Sequence, residues 1–204
     1  MKRLGLLLFL ILAVALMGGS ALAQNTGGNY GGDNSVYFVT YFSNANTPGA
    51  PNAAVRFVND GDTEANLYAD YYVFDDSQEL QECCSCQITP DGVNSEWINQ
   101  AKTDSLTGNT VTGKKLTRGV LKVISDSTGN ATDACPTPGL RGTAVHVQNT
   151  SFNSTVSYGV TETPFADSNL VPSEQSQLQN LCSYAQVLGS GKGVCSCTPE
   201  DSDF

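Results

Sequence analysis

The chain has 204 residues, of which 20 are acidic and 10 are basic, so its formal net charge at pH 7 is −10. Nucleic acids and anionic lipid surfaces bind positively charged proteins, so this composition excludes both as expected partners. The length suits one domain with its own core, and the seven cysteines raise the question of the redox compartment in which it folds.

Residues 1–23 have the pattern of a secretory signal peptide. Lys2 and Arg3 form the positive start, an apolar run follows, and the small residues Ala21 and Ala23 suit a signal peptidase. We expect cleavage before Gln24 and a mature protein that is secreted or periplasmic. The apolar run is short for a membrane span, and no second run of about 18 apolar residues follows. No transmembrane segment is therefore expected after cleavage.

The rest of the chain divides into three parts. Residues 24–34 are polar and rich in Gly and Asn, which predicts a flexible tether. Residues 35–197 are expected to form one disulfide-stapled domain, and residues 198–204 an acidic tail.

Short runs of aromatic and β-branched residues follow one another from residue 35 to about residue 165. Gly, Pro, Asn and Asp separate them, which is typical of antiparallel β-sandwiches. We predict a mainly β fold of this kind, immunoglobulin-like only in a loose sense. The expected strands cover residues 36–42, 54–58, 66–74, 79–88, 93–98, 119–124, 143–148 and 156–163.

A change of period near the C-terminus predicts one α-helix over about residues 172–188. Its apolar residues recur at three- and four-residue steps, which places them on one helix face. Pro172 suits the first turn, and the helix dipole favours an acid at Glu174. The predicted helix packs this face onto the sandwich. The face consists of Leu178, Leu181, Cys182, Ala185 and Leu188.

The cysteines occur in clusters that favour long-range disulfides. On a strand, Cys84 and Cys86 point to one face and Cys83 to the other. We expect Cys84 or Cys86 to bond with Cys195 or Cys197, and we leave the connectivity open. Cys83 is the expected free thiol, because it faces away from its neighbours. The disulfide candidates are Cys84, Cys86, Cys135, Cys182, Cys195 and Cys197.

The same cysteines offer a metal-binding alternative. The pairs Cys84-x-Cys86 and Cys195-x-Cys197 supply four sulfurs that as thiolates would suit zinc or copper(I). Structural zinc sites favour wider spacing, and an oxidising compartment converts thiols to disulfides. We therefore favour disulfides and predict no metal or other cofactor.

Acidic residues at 60, 62 and 64 form a weak calcium candidate. Asp60, Asp62 and Glu64 alternate through a turn, but the segment lacks the glycine and the final carboxylate of an EF-hand loop. An Asp-Gly pair between two strands is more typical of a hairpin turn. We predict a solvated hairpin there.

A tyrosine-bearing strand face and the single histidine are two further candidate sites. Tyr68, Asp70 and Tyr72 share one strand face and could stack a sugar or a peptide, although such faces more often line a core. His146 is the only histidine, and no Gly-x-Ser-x-Gly elbow accompanies it. We interpret it as a half-exposed structural histidine and predict no catalytic residues.

Four segments carry a resemblance to other proteins: VRFVN at 55–59, YVFDD at 72–76, ECCSC at 82–86 and LGSGKGVCSC at 188–197. In these segments the chain resembles a group of small secreted proteins from soil bacteria to which no activity is assigned. The resemblance implies secretion and disulfides. It also implies a further cysteine in that group where this chain has Tyr68, which would leave a partner thiol unpaired here. It transfers no site.

These observations predict a non-catalytic β-sandwich outside the cytoplasm with a structural, adhesive or ligand-binding role in the cell envelope. Its partner would be an unidentified envelope or extracellular component. One alternative is an extracytoplasmic zinc- or copper-binding protein. The other is a secreted hydrolase, which needs a carboxylate pair that the pattern of the 20 acids does not identify.

Overall fold

Nine strands and one helix are found in a computed structural model that describes residues 35–99, 105–152 and 154–197. The predicted signal peptide, tether and acidic tail lie outside these residues. The elements are β1 (Tyr37–Ser43), β2 (Ala54–Asn59), β3 (Leu67–Asp75), β4 (Leu80–Ile88), β5 (Val93–Trp97), β6 (Arg118–Asp126), β7 (Leu140–Phe152), β8 (Thr155–Pro164), β9 (Ala166–Asp167) and α1 (Pro172–Leu188).

The strands form two antiparallel sheets, which confirms the predicted β-sandwich. One sheet has the order β4-β3-β6-β1-β9 and the other the order β5-β2-β7-β8. Apolar side chains from both sheets meet in the core between them. Phe57 of β2, for example, packs edge-on against Phe38 of β1 and Tyr71 of β3.

β3 shows how a strand that is buried on both faces divides its side chains. Ala69 and Tyr71 point into the core between the sheets. Tyr72 and Phe74 point the other way, into a second apolar cluster beneath the helix. The five-stranded sheet is therefore covered on both sides.

The segment after β2 does not form the predicted hairpin. β2 pairs with β5 and β7, whereas β3 pairs with β4 and β6, so residues 60–66 carry the chain from one sheet to the other. The local turn still forms: Glu64 N donates to Gly61 O at 2.9 Å. A turn signal specifies the reversal of the chain but not the sheet in which the next strand pairs.

Helix α1 occupies the predicted range and lies on the outer face of the five-stranded sheet. Leu178, Cys182 and Ala185 are buried, but Leu188 is 72% exposed, so the prediction that it packs was wrong. Glu174 in the first turn accepts hydrogen bonds from Lys122 Nζ at 2.5 Å and Tyr37 Oη at 2.9 Å. Of the described helices, none is long and apolar enough to cross a membrane.

Candidate functional site

Three disulfides join β4 to the C-terminal part of the chain. Cys84 bonds to Cys195 and Cys86 to Cys197, which agrees with the expected link between these two clusters and decides the connectivity that the sequence left open. These two bonds lie on the core side of β4. On the other side, Cys83 bonds to Cys182 of helix α1. β4 is thereby stapled on both faces.

The unpaired cysteine is Cys135 and not Cys83. The expectations that Cys83 is free and that Cys135 forms a disulfide were both wrong, because the helix packs on the face to which Cys83 points and presents Cys182 there. Cys135 is exposed in the segment after β6. The buried carboxylate of Asp126 holds that segment by accepting hydrogen bonds from the backbone N–H groups of Cys135 at 2.5 Å and Gly129 at 2.6 Å.

The four cysteines of the metal alternative are all oxidised in this structure. The sulfurs of Cys84, Cys86 and Cys197 lie within 4.8 Å of one another, but each belongs to a disulfide. A disulfide sulfur is not the thiolate ligand that zinc or copper(I) requires. A metal site here would first need both core-side bonds to be reduced.

The predicted binding face on β3 is covered. Asp70 and Tyr72 are buried, and Tyr72 Oη donates to the backbone oxygen of Ala131 at 2.7 Å. The ring of Tyr68 packs against Gly129 of the segment after β6. The alternation of the sequence is real, but helix α1 and this segment occupy the face, so it offers no open surface for a sugar or a peptide.

Two buried carboxyl groups are new features that the sequence did not reveal. Burial raises the pKa of Asp70 to about 8, despite the hydrogen bond that it accepts from Ser85, and nearby Asp126 raises it further. Burial likewise raises the pKa of Glu82 to about 8, although Asn109 N donates to it at 2.8 Å. Each keeps one buried carboxyl oxygen without a hydrogen-bond partner.

The weak calcium candidate at residues 60–64 is a turn whose carboxylate oxygens do not converge on one point. Asp60 accepts a hydrogen bond from the backbone N–H of Asp62 at 3.1 Å. Its Oδ2 also forms an ion pair with the guanidinium of Arg141, 3.3 Å away. The carboxylates of Asp60, Asp62 and Glu64 form no ligand cluster among the described residues. Asp60 therefore has local partners that account for its position.

His146 is buried, whereas the sequence predicted a half-exposed side chain. Its ring stacks under the ring of Tyr41 with centroids 4.5 Å apart, and its Nε2 shares a hydrogen bond with Thr163 Oγ1 at 2.9 Å. Burial lowers the pKa of His146 below its usual value. His146 is thus a neutral support for Tyr41 at pH 7.

Tyr41 also lines a polar cleft of about 780 Å³, which sequence reasoning missed. We call it the polar cleft. Its lining comes from the end of β1 and the following loop, the turn after β3, the start of β6 and the middle of β7. The lining residues are Tyr41, Ser43, Asn44, Thr47, Asp76, Thr117, Arg118, Gln148 and Asn149.

The base of the polar cleft is held in place by local bonds. Ser43 Oγ and Asn44 Nδ2 both donate to the backbone oxygen of Val147 at 2.7 Å, which ties the end of β1 to β7. Asn44 has a positive φ of 57°, a conformation that asparagine tolerates better than most residues. These bonds place β1 and β7 on opposite sides of one opening.

The chemistry of the polar cleft is neutral, polar and partly aromatic. Its two charged residues, Asp76 and Arg118, pair with each other at 2.7 Å. The side chains of Gln148 and Asn149 are exposed and have no hydrogen-bond partner among the described residues. Tyr41 is 50% exposed. Amides provide donors and acceptors together, and an aromatic ring stacks on flat apolar surfaces.

Comparisons of this chain with protein-family models, with curated proteins and with solved structures found no match. The resemblance to secreted soil-bacterial proteins therefore stays a prediction.

Proposed function

We propose that this protein is a non-catalytic β-sandwich of the cell envelope or extracellular space that binds a neutral, hydroxyl-rich ligand such as an oligosaccharide. The ligand would occupy the polar cleft. The observation that carries the proposal is the half-exposed Tyr41, which stacks on His146 and lines the polar cleft together with amide- and hydroxyl-bearing residues.

The cysteine pairing supports a place outside the cytoplasm. Disulfides persist in oxidising compartments and are rare in the cytosol. Here three disulfides hold helix α1 and the last part of the chain to β4. This agrees with the signal peptide expected at residues 1–23.

The ligand class follows from size and charge. Ligand sites of about 300–1,000 Å³ suit small molecules, and the polar cleft falls in this range at about 780 Å³. Asp76 and Arg118 neutralise each other, and a neutral His146 adds no charge below Tyr41. A neutral sugar fits because its hydroxyl groups bond to amides and its apolar ring face stacks on tyrosine.

A binding role is favoured over glycoside hydrolysis because the polar cleft contains one carboxylate. Most glycosidases place two carboxylates across the bond that is cleaved. In this lining the only acid is Asp76, and it pairs with Arg118. The two carboxyls with a pKa near 8, Asp70 and Glu82, are buried outside the cleft.

The test uses the oxidised mature protein and a set of neutral oligosaccharides: cello-, xylo-, manno- and chito-oligomers. Binding is measured by titration calorimetry for the wild type, for Tyr41→Ala and for Tyr184→Ala. Tyr184 lies on helix α1 and is 65% exposed, which makes it a matched control. We expect Tyr41→Ala to weaken binding roughly tenfold, or about 1.4 kcal/mol, and Tyr184→Ala to leave it unchanged.

Failure of every oligosaccharide to bind the wild type would overturn the proposed ligand class. Equal effects of the two tyrosine variants would overturn the polar cleft as the site. Cleavage of a bound oligomer, followed by mass spectrometry, would replace the binding role with the hydrolase alternative.

A further inference from the structure

The four outer strands of the two sheets differ in how they are protected. Strand β4 is flanked by the C-terminal segment, since Cys83 N donates to Gly193 O at 3.0 Å. β9 has two residues and β5 has five. β8 has ten residues and pairs with β7 on one side only. No strand of the described chain pairs with its outer side.

β8 also lacks the devices by which proteins usually block a free edge. Such edges carry lysines, internal prolines or bulges, because unpaired backbone groups recruit other strands. The register between β7 and β8 runs without a shift from Thr143↔Pro164 to Phe152↔Thr155. β8 contains no Lys or Arg, and its one proline is its last residue. The edge is long, regular and open.

The side chains of β8 are complementary to themselves. Val156, Tyr158 and Val160 alternate along the strand and so share one face. If two copies of β8 pair antiparallel about Tyr158, then Val156 of each copy lies opposite Val160 of the other, and the two Tyr158 residues meet at the axis. Val156 is 53% exposed and Val160 is 52% exposed. We propose that β8 pairs in this way with β8 of a second copy of this chain, forming a two-fold dimer.

Charge favours this edge as the meeting place of two copies. The chain has a net charge of −10, so most approaches of one copy to another are repulsive. β8 has one charged residue, Glu162, which pairs with Arg56 at 2.9 Å. In the proposed register Glu162 lies opposite Ser154 of the second copy. No like charges face each other across the strands.

The geometry closes at two copies. Each partner contributes the same strand, so the contact is isologous. Once two copies have paired, neither β8 edge is free to bind a third copy. The other outer strands are covered or short, as described above. A dimer with one continuous eight-stranded sheet across the axis is the expected product, built from two four-stranded sheets.

The experiment measures molecular mass by sedimentation velocity over a range of protein concentrations. All proteins carry Cys135→Ser, so that the exposed thiol cannot link two chains. The first variant is V156K/V160K and the second is V156E/V160E. Each places like charges opposite each other across the axis, which is destabilising between paired strands. The control V187K/L188K adds the same charge as V156K/V160K, but on exposed positions of helix α1.

We expect the parent protein and the helix control to double in mass with concentration. Each β8 variant alone should stay monomeric. An equimolar mixture of the two should regain the doubled mass, because lysines then lie opposite glutamates. Circular dichroism checks that each variant is folded. This expectation does not depend on ligand binding at the polar cleft.

A parent protein that stays monomeric at the highest soluble concentration would overturn the proposal. Dimerisation of the variants as strongly as the parent would show that another surface is used. A mixture that remains monomeric would overturn the register about Tyr158, and growth into filaments would overturn the closed pair.

Discussion

Single residues on β4 illustrate both the strength and the limit of side-chain alternation. Period-two alternation correctly separates Cys84 and Cys86 from Cys83. It does not say what packs on either face. Cys83 was expected to be free because it faces away from Cys84 and Cys86, but helix α1 supplies Cys182 across 99 residues of sequence.

Buried acids are the residue-scale feature that sequence patterns could not indicate. Asp70 lies on the same strand as Tyr68, Tyr71 and Tyr72 and is fully buried, with Ser85 and Asp126 of the neighbouring strands close to it. The pKa of Asp70 is raised from 3.8 to about 8, mainly by burial. The folded state therefore holds the proton more tightly than the unfolded state.

This pKa shift predicts how stability depends on pH. The stabilisation from the protonated carboxyl is fully present below the unfolded pKa of 3.8 and is lost as pH rises through the folded pKa of about 8. We expect the free energy of unfolding to fall across this interval. Glu82 acts in the same direction, since its pKa also rises to about 8.

Asp70→Asn tests the origin of this dependence. The amide keeps the acceptor for Ser85 without a charge, so we expect a flatter pH profile and a gain of roughly 1–3 kcal/mol above pH 8. Urea unfolding at several pH values measures it, with the exposed Asp62→Asn as control. A loss of stability at every pH would mean that Asp70 is charged and well partnered in the folded state.

At the scale of elements, the helix was predicted well because its signals are local. Proline at the first position and apolar residues at three- and four-residue steps depend only on near neighbours. The predicted C-terminal end of its packing face was wrong, since Leu188 is exposed whereas Ala185, three residues earlier, is buried. Local period shows which residues share a face but not how far the neighbouring sheet extends.

Shortening a leucine side chain to alanine should change the free energy of unfolding differently at the two ends of the helix. Leu178→Ala removes a fully buried side chain, and we expect a loss of about 2–5 kcal/mol in the free energy of unfolding. Leu188→Ala removes the same atoms from an exposed position and should change it by less than about 0.5 kcal/mol. Chemical unfolding measures both. Similar losses for the two variants would mean that Leu188 is packed in solution.

The strand-to-strand connections show the same limit. The segment after β2 has a strong turn signal, and a turn forms, but the next strand joins the other sheet. Sheet membership depends on which strands lie alongside, and these come from distant parts of the chain. Turn signals therefore could not predict the order of the strands in the two sheets.

At the scale of the whole molecule, the disulfides connect parts that are far apart in sequence. The bond between Cys83 and Cys182 closes a loop of 99 residues, for which chain-entropy estimates give roughly 4–5 kcal/mol. Cys84 and Cys86 add two bonds to the segment after the helix. In the oxidised protein, the helix and the C-terminal segment thus stay covalently bonded to β4 of the sandwich when the chain unfolds.

This arrangement predicts the state of every cysteine in the oxidised protein. Intact mass should be six hydrogens below that of the reduced chain, and alkylation under denaturing conditions should modify Cys135 alone. Peptide mapping should find Cys83 linked to Cys182. Alkylation of Cys83 would overturn the pairing. Thiols protected together with added metal mass would instead favour the metal-binding alternative.

The sequence by itself determined the β-sandwich class, the range of the helix and the face of β4 to which each cysteine points. These follow from periodicity, which depends on residues a few positions apart. The tertiary structure alone decided the free thiol, the burial of Asp70 and the polar cleft. Each of these depends on segments such as β1 and β7, which are distant in sequence and meet only when the two sheets pack together.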